Sequence, residues 1–223
     1  MNKISLIKIK KNLPFYTSNK YIEDLKKNGA KIGEGCVFYK PKTILIDLTS
    51  LDFIKIGNYV QLTDGVKILA HDYSYSIVAN KYNINLRPQA ETKLGNNIFV
   101  GMNSIILMGS EIGDNVIIGA GSIVRGKIES NSVYAGNPAK KICTLDEYRK
   151  KLEDKFEESA KCFYKCKKER KIFDMNIYKC LYTDTKEMRE YIKKAKPAGM
   201  KDEIIENMIF KKKYDCLDDL INH

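Results

Sequence analysis

Residues 94–124 read LGNNIFVGMNSIILMGSEIGDNVIIGAGSIV, and their spacing decides the architecture. Every sixth residue from Leu94 is aliphatic: Leu94, Val100, Ile106, Ile112, Ile118 and Val124. The register extends upstream to Ile56, Leu62 and Ile68. Four places after each downstream member stand Ile98, Ser104, Ser110, Val116, Ser122 and Ile128, all aliphatic or small. Glycine follows the aliphatic residue at Gly57, Gly95, Gly101, Gly113 and Gly119. An amphipathic helix spaces its apolar residues by three and four, and a half-buried strand by two, so a strict six fits neither. Short strands joined by tight corners do fit, with one inward side chain per face and Gly, Asn or Asp where the backbone turns. Three faces close a triangular coil of about eighteen residues, each coil burying its aliphatic row against its neighbours. The spacing therefore predicts Leu94 stacked beneath Ile112 and Val100 beneath Ile118. A β-sandwich would leave this unbroken run, and the near-repeats LGNNIFVG, IGDNVIIG and IGNYV, to chance.

The pattern stops at His71 and resumes at Leu94. Between them DYSYSIVANKYNINLRPQAETK is polar and aromatic, an insertion at about 72–93 that projects from one corner. Inserted solenoid loops often carry binding function. His71 stands at the root of this loop and is the only histidine besides the terminal His223. A positioned imidazole can take the proton of an alcohol as the alcohol attacks a carbonyl, which is typically worth about 10²–10⁴-fold in rate. Asp72 is a candidate to orient the imidazole, to bind an acceptor, or to serve as a turn residue.

The repeats, together with VYAGNPAKKI at 133–142, resemble the hexapeptide-repeat acyltransferases. The likeness is closest to the maltose- and galactoside-type and surface-polysaccharide O-acetyltransferases, and it covers the middle half of the chain. It implies a left-handed parallel β-helix assembled as a homotrimer. That handedness comes from the resemblance alone, because strand crossovers are otherwise right-handed. It further implies acetyl-CoA as co-substrate with no metal, a sugar hydroxyl as acceptor, and His71 as general base in a direct transfer without an acyl-enzyme. Asp47, in TILIDLTS, is similar to a position that contacts the acceptor. CoA contacts map to the backbone at Met102 and Ala120, to Arg125 and Gly126, and to Lys140 of GNPAK as a point charge for phosphate. The Met102 N–H is a candidate oxyanion donor. Many relatives carry Thr-Lys where this chain has Arg125-Gly126-Lys127, a departure in the phosphate contacts.

The flanks read as helical. SNKYIEDLKKNGA predicts a short helix capped near Ser18 and stopped at Asn28-Gly29, within an N-terminal cap at 1–30 that covers the first coil. The coils occupy 31–143. Beyond them Leu145, Tyr148, Leu152, Phe156, Ala160, Phe163 and Cys166 fall at helical spacing, and further helices are expected at 185–195 and 201–210 of a C-terminal extension, 144–223. This extension leaves peripheral docking to a membrane surface open.

Of 223 residues 43% are hydrophobic and the net charge is +11, which suits anionic small molecules or an acidic carrier protein. No Lys/Arg block interleaved with aromatics marks a nucleic-acid surface. The basic N-terminus lacks a continuous apolar core for a secretory signal, and no stretch is long enough to span a membrane. Six cysteines without paired spacing read as free thiols of a cytoplasmic protein. A zinc hydratase built on the same coils needs three histidines, so this chain fails on residue count. The open alternatives are N-acetylation of an amino sugar or xenobiotic, acyl transfer from acyl carrier protein, and a non-catalytic scaffold.

Overall fold

The computed structural model describes Ile7 and residues 16–155. The chain divides into two compact units, 1–148 and 149–223. The expected helices at 185–195 and 201–210, and the far part of the helix after 144, lie outside the described residues. So do Cys162, Cys166, Cys180 and Cys216.

Strands of two to five residues wind through the first unit as successive coils. The first coil holds β1 (Lys31–Ile32), β2 (Val37–Phe38) and β3 (Leu45–Ile46). The second holds β4 (Ile54–Ile56), β5 (Gln61–Leu62) and β6 (Lys67–Ile68). The third holds β7 (Thr92–Leu94), β8 (Ile98–Val100) and β9 (Ile105–Ile106). The fourth holds β10 (Glu111–Ile112), β11 (Val116–Ile118) and β12 (Ile123–Val124). The last holds β13 (Lys127–Ile128) and β14 (Ser132–Ala135), and β15 (Lys140–Thr144) returns antiparallel onto β14.

Every third strand pairs in parallel, giving three sheets: β1-β4-β7-β10-β13 on face A, β2-β5-β8-β11-β14 on face B, and β3-β6-β9-β12 on face C. Leu94 pairs with Ile112, and Val100 with Ile118, as the six-residue spacing requires. Three aliphatic columns fill the interior, and Leu62, Val100, Ile106, Ile118 and Val124 are fully buried there.

The second inward row holds serine at corners. Ser104, Ser110 and Ser122 are fully buried, and each hydroxyl donates to a corner carbonyl: Ser104 and Ser122 to Gly119, Ser110 to Leu107. A buried hydroxyl is tolerated because its donor is satisfied. The glycine that follows the aliphatic residue answers to stacking distance, since a Cβ on Gly101 would lie 2.5 Å from the Ala120 nitrogen of the next coil.

One reading of the repeat is corrected. Ile128 does not belong to the row four places after the aliphatic column. It pairs with Ile112 in the column itself, sixteen residues on instead of eighteen. The corner Arg125-Gly126 is short by two residues, and Gly126 makes the tight turn at φ +75°. Ser132 then takes the second-row place, paired with Val116.

Helix α1 (Ser18–Lys27) buries Tyr21, Ile22 and Leu25. Its cap is Thr17, whose hydroxyl accepts from the Lys20 N–H. Ser18, the expected cap, instead accepts from the Phe38 N–H on β2 at 2.9 Å and ties the helix to the first coil. Tyr21 packs edge-on to Phe38. The insertion contains a second helix, α2 (Tyr75–Tyr82), and residues 145–155 are helical, α3. Among the described residues no helix is long and apolar enough to cross a membrane.

Candidate active site

The root of the insertion is clamped to the coils. His71 bridges Gln89 in antiparallel fashion, and the Ala90 N–H donates to the Ala70 carbonyl at 3.2 Å. Thr92 then re-enters the fold by donating its hydroxyl to the Leu69 carbonyl at 2.7 Å. Both ends of an eighteen-residue excursion, 72–89, are thus held on one corner between faces C and A. The imidazole sits at that corner with only 19% of its side chain exposed.

Nδ1 of His71 hydrogen-bonds Oδ2 of Asp47, one coil earlier at the same corner. The Asp47 side chain is 2% exposed, and a buried carboxylate is tolerable only when its lone pairs are met. Four donors meet them. Oδ1 accepts from the Thr49 N–H at 3.1 Å and the Thr49 hydroxyl at 2.7 Å. Oδ2 accepts from the Ala70 N–H at 3.2 Å as well as from His71. Thr49 Oγ1 also lies 3.4 Å from His71 Nδ1. With Nδ1 engaged, Nε2 is the ring nitrogen left for other partners.

Asp72, the other acidic candidate, is exposed. Its Oδ1 accepts from the Ser74 N–H at 2.7 Å and so closes the first turn of the loop. Hydrogen bonds from Ser74, and then the charges of His71 and Arg125, hold this carboxyl below the ordinary range. The structure brings Asp47, not Asp72, onto the imidazole. Two neighbours escaped the sequence reading. Thr49 was signalled only by the Asp-x-Thr spacing of TILIDLTS, a common local turn pattern. Tyr73, whose ring centroid is 4.3 Å from that of His71, carried no signal beyond the aromatic character of the loop.

Four of the five residues expected to hold CoA fall on two corners. Arg125 and Gly126 follow β12, in the register of Leu69 and Leu107, so they share the corner of His71. Met102 and Ala120 lie at the corner between faces B and C, on adjacent coils, and Met102 O accepts from the Gly121 N–H at 2.7 Å. Lys140 lies in β15, opposite Ala135. The fit of a pantetheine arm to the B–C corner can be judged from the backbone. Both residues are exposed, and neither the Met102 nor the Ala120 N–H has an acceptor among the described residues. These are donors that an amide-bearing ligand could use. No group of three or more His, Cys, Asp or Glu able to hold a metal occurs among the described residues.

Comparison with known proteins agrees with this architecture. Residues 91–126 match the family model described as bacterial transferase hexapeptide (six repeats). Protein CapG of Staphylococcus aureus is 35% identical over 188 residues, 80% of this chain and 97% of CapG. The putative lipopolysaccharide biosynthesis O-acetyl transferase WbbJ of Escherichia coli is 31% identical over 120 residues, 49% of this chain and 61% of WbbJ. The crystal structure of the hexapeptide-repeat acetyltransferase VCA0836 from Vibrio cholerae shares the fold at 13% identity. Its TM-score is 0.50, covering 64% of this chain and 89% of that one. The coils are those of a left-handed parallel β-helix. With this identity spanning nearly all of CapG and the six-repeat signature falling on its central coils, the chain belongs to the hexapeptide-repeat acetyltransferases.

Proposed function

We propose that this protein transfers the acetyl group of acetyl-CoA to a sugar hydroxyl during synthesis of a bacterial surface polysaccharide, in the cytoplasm and as a homotrimer. The observation that carries the reading is the Asp47–His71 hydrogen bond at the root of the loop. An ionised Asp47 accepts the Nδ1 proton and leaves the lone pair on Nε2, the arrangement a general base requires. His71 Nε2 takes the hydroxyl proton as the sugar oxygen bonds to the acetyl carbon. The carbon–sulfur bond then breaks and the thiolate receives the proton back from the imidazolium. The Met102 N–H meets the oxyanion, Ala120 the pantetheine arm, and Arg125, Gly126 and Lys140 the CoA phosphates. Among the described residues neither cysteine is placed to form an acyl-cysteine, which supports direct transfer. Cys36 is buried, and that burial raises its thiol above the ordinary range, while Cys143 is also buried. The polysaccharide context rests on the name that WbbJ carries.

Thiol release from acetyl-CoA, assayed against sugar, amino-sugar and nucleotide-sugar acceptors, tests this reading beside His71→Ala. A loss of about 10²–10⁴-fold in kcat is expected for that variant. Full activity in His71→Ala removes the base, and activity on amines alone replaces O-acetylation with N-acetylation.

A further inference from the structure

Residues 72–89 contain no buried residue, yet the segment is rich in large apolar side chains. Tyr73 is 64% exposed, Ile77 71% and Tyr82 59%. Apolar area concentrated in one place on a surface marks a contact region. Within the segment, one side chain is fixed to the reacting group. The Tyr73 ring lies 4.3 Å from the His71 ring, centroid to centroid, with the planes 66° apart. Tyr75 follows it at 6.5 Å and 38°. The Tyr73 hydroxyl makes no hydrogen bond among the described residues, so the ring is placed by the imidazole and the turn at Asp72 rather than by its phenol.

Because Asp47 occupies Nδ1, a hydroxyl must approach Nε2 at about 2.8 Å. That puts the reacting oxygen no farther than roughly 8 Å from the centre of the Tyr73 ring, given a hydrogen bond of ordinary length. A sugar ring carrying that hydroxyl can therefore reach the Tyr73 ring, most of which is open to solvent. The face of an aromatic ring carries partial negative charge. A pyranose offers it a complement, because its axial C–H groups form an apolar and slightly positive surface while its hydroxyls point outward around the rim.

We infer that Tyr73 selects the acceptor: its exposed ring packs against the C–H face of a pyranose whose hydroxyl is presented to His71. The inference rests on the reading of His71 as the base for a sugar hydroxyl, and it adds the residue that tells a sugar ring from a simple alcohol.

Steady-state kinetics on the full chain test it, using Tyr73→Ala, Tyr73→Leu and Tyr73→Phe with methyl pyranosides and with glycerol. Tyr73→Ala should raise the pyranoside KM about tenfold or more and leave the acetyl-CoA KM, the glycerol kinetics and kcat within about threefold. Tyr73→Phe should behave as wild type and Tyr73→Leu should fall between. A fall in kcat with an unchanged pyranoside KM would show that the ring merely steadies His71, and it overturns the inference. So does a Tyr73→Ala enzyme with unchanged constants, while the His71 reading survives. Saturation-transfer NMR with methyl pyranosides reads binding without turnover: Tyr73→Phe should retain the signal and Tyr73→Ala should weaken it by the factor seen in KM. A wild-type protein that neither acetylates nor binds pyranosides overturns both readings together.

Discussion

Asp47 accepts from Thr49 twice, from Ala70 and from His71 while almost wholly withdrawn from water. Two backbone N–H groups and a short hydroxyl fix the carboxylate, so the imidazole it holds has one orientation and one tautomer. Asn at this position keeps the shape but not the charge. Its amide would donate to Nδ1 and drive the histidine proton onto Nε2, where it blocks the base. Asp47→Asn should therefore lower kcat by about 10³–10⁴-fold while acceptor and donor KM move little. Unaltered kcat in this variant would show that the hydrogen bond is structural. Thr49→Val, which deletes only the hydroxyl donor, should cost about tenfold, with Thr49→Ser restoring most of it, measured as kcat. His71 was legible in the sequence because a repeat of six breaks there and the chain has almost no other imidazole. Asp47 was visible only as one of two acids, because the choice between Asp47 and Asp72 depends on which coil stacks on which. Sequence distance misleads here. The neighbouring Asp72 turns away to Ser74, while the residue twenty-four positions back makes the contact.

The A–B corner shows what lets the coils turn so tightly and still stack. Asn97, Asn115 and Asn131 occupy the left-handed region at φ +55°, +56° and +56°, where asparagine is favoured among residues with a side chain. They form a ladder up the corner. Asn97 Nδ2 donates to Asn115 Oδ1 at 2.8 Å, and Asn115 Nδ2 donates to Asn131 Oδ1 at 3.0 Å. Asn115→Ala removes both bonds and places a Cβ without compensation at positive φ, for a loss of about 2–3 kcal/mol. Asn115→Gly removes the same bonds but relieves the backbone, so it should lie between Ala and wild type. Urea midpoints in that order support the ladder and its strain; equal midpoints for Gly and Ala would deny the strain. The strands themselves were readable because a period of six survives in any part of the repeat. The short corner at Arg125-Gly126 was not, because two missing residues convert a second-row place into a column place without altering the apolar character of Ile128. Nor was α2, whose eight residues bury nothing and so leave no amphipathic stripe to detect.

At the scale of the first unit, the three faces differ. Face A carries Lys31, Lys55, Lys93, Glu111 and Lys127 as one outward row, with Glu91 paired to both Lys55 and Lys93. The matching row on face C is Leu45, Lys67, Ile105 and Ile123, and on face B it includes Val37, Gln61, Phe99 and Ile117. Charge faces water on A, while B and C offer apolar area for the proposed trimer. The same geometry constrains the chemistry. Ala120 and Arg125 lie at opposite edges of face C, with the turn at Ala120-Gly121 and strand β12 between them. His71 and the Met102 N–H are on those same two edges of one chain. In the proposed trimer, a centre that uses both takes His71 from one copy and Met102 from another. Residues 101–104 form a turn in which the Ser104 N–H donates to the Gly101 carbonyl and only Asn103 has positive φ, the type II pattern that accepts proline at its second position. Met102→Pro therefore deletes the free N–H while leaving the turn intact, and should lower kcat by about 10²-fold or more. His71→Ala and Met102→Pro chains co-expressed in equal amounts then provide the decisive measurement. With centres shared between copies, random assembly gives about a quarter of them both wild-type groups, and activity returns to about that fraction. Activity no higher than that of the two variants assayed separately would mean that each chain carries its own centre, and that the two corners do not serve the same thioester.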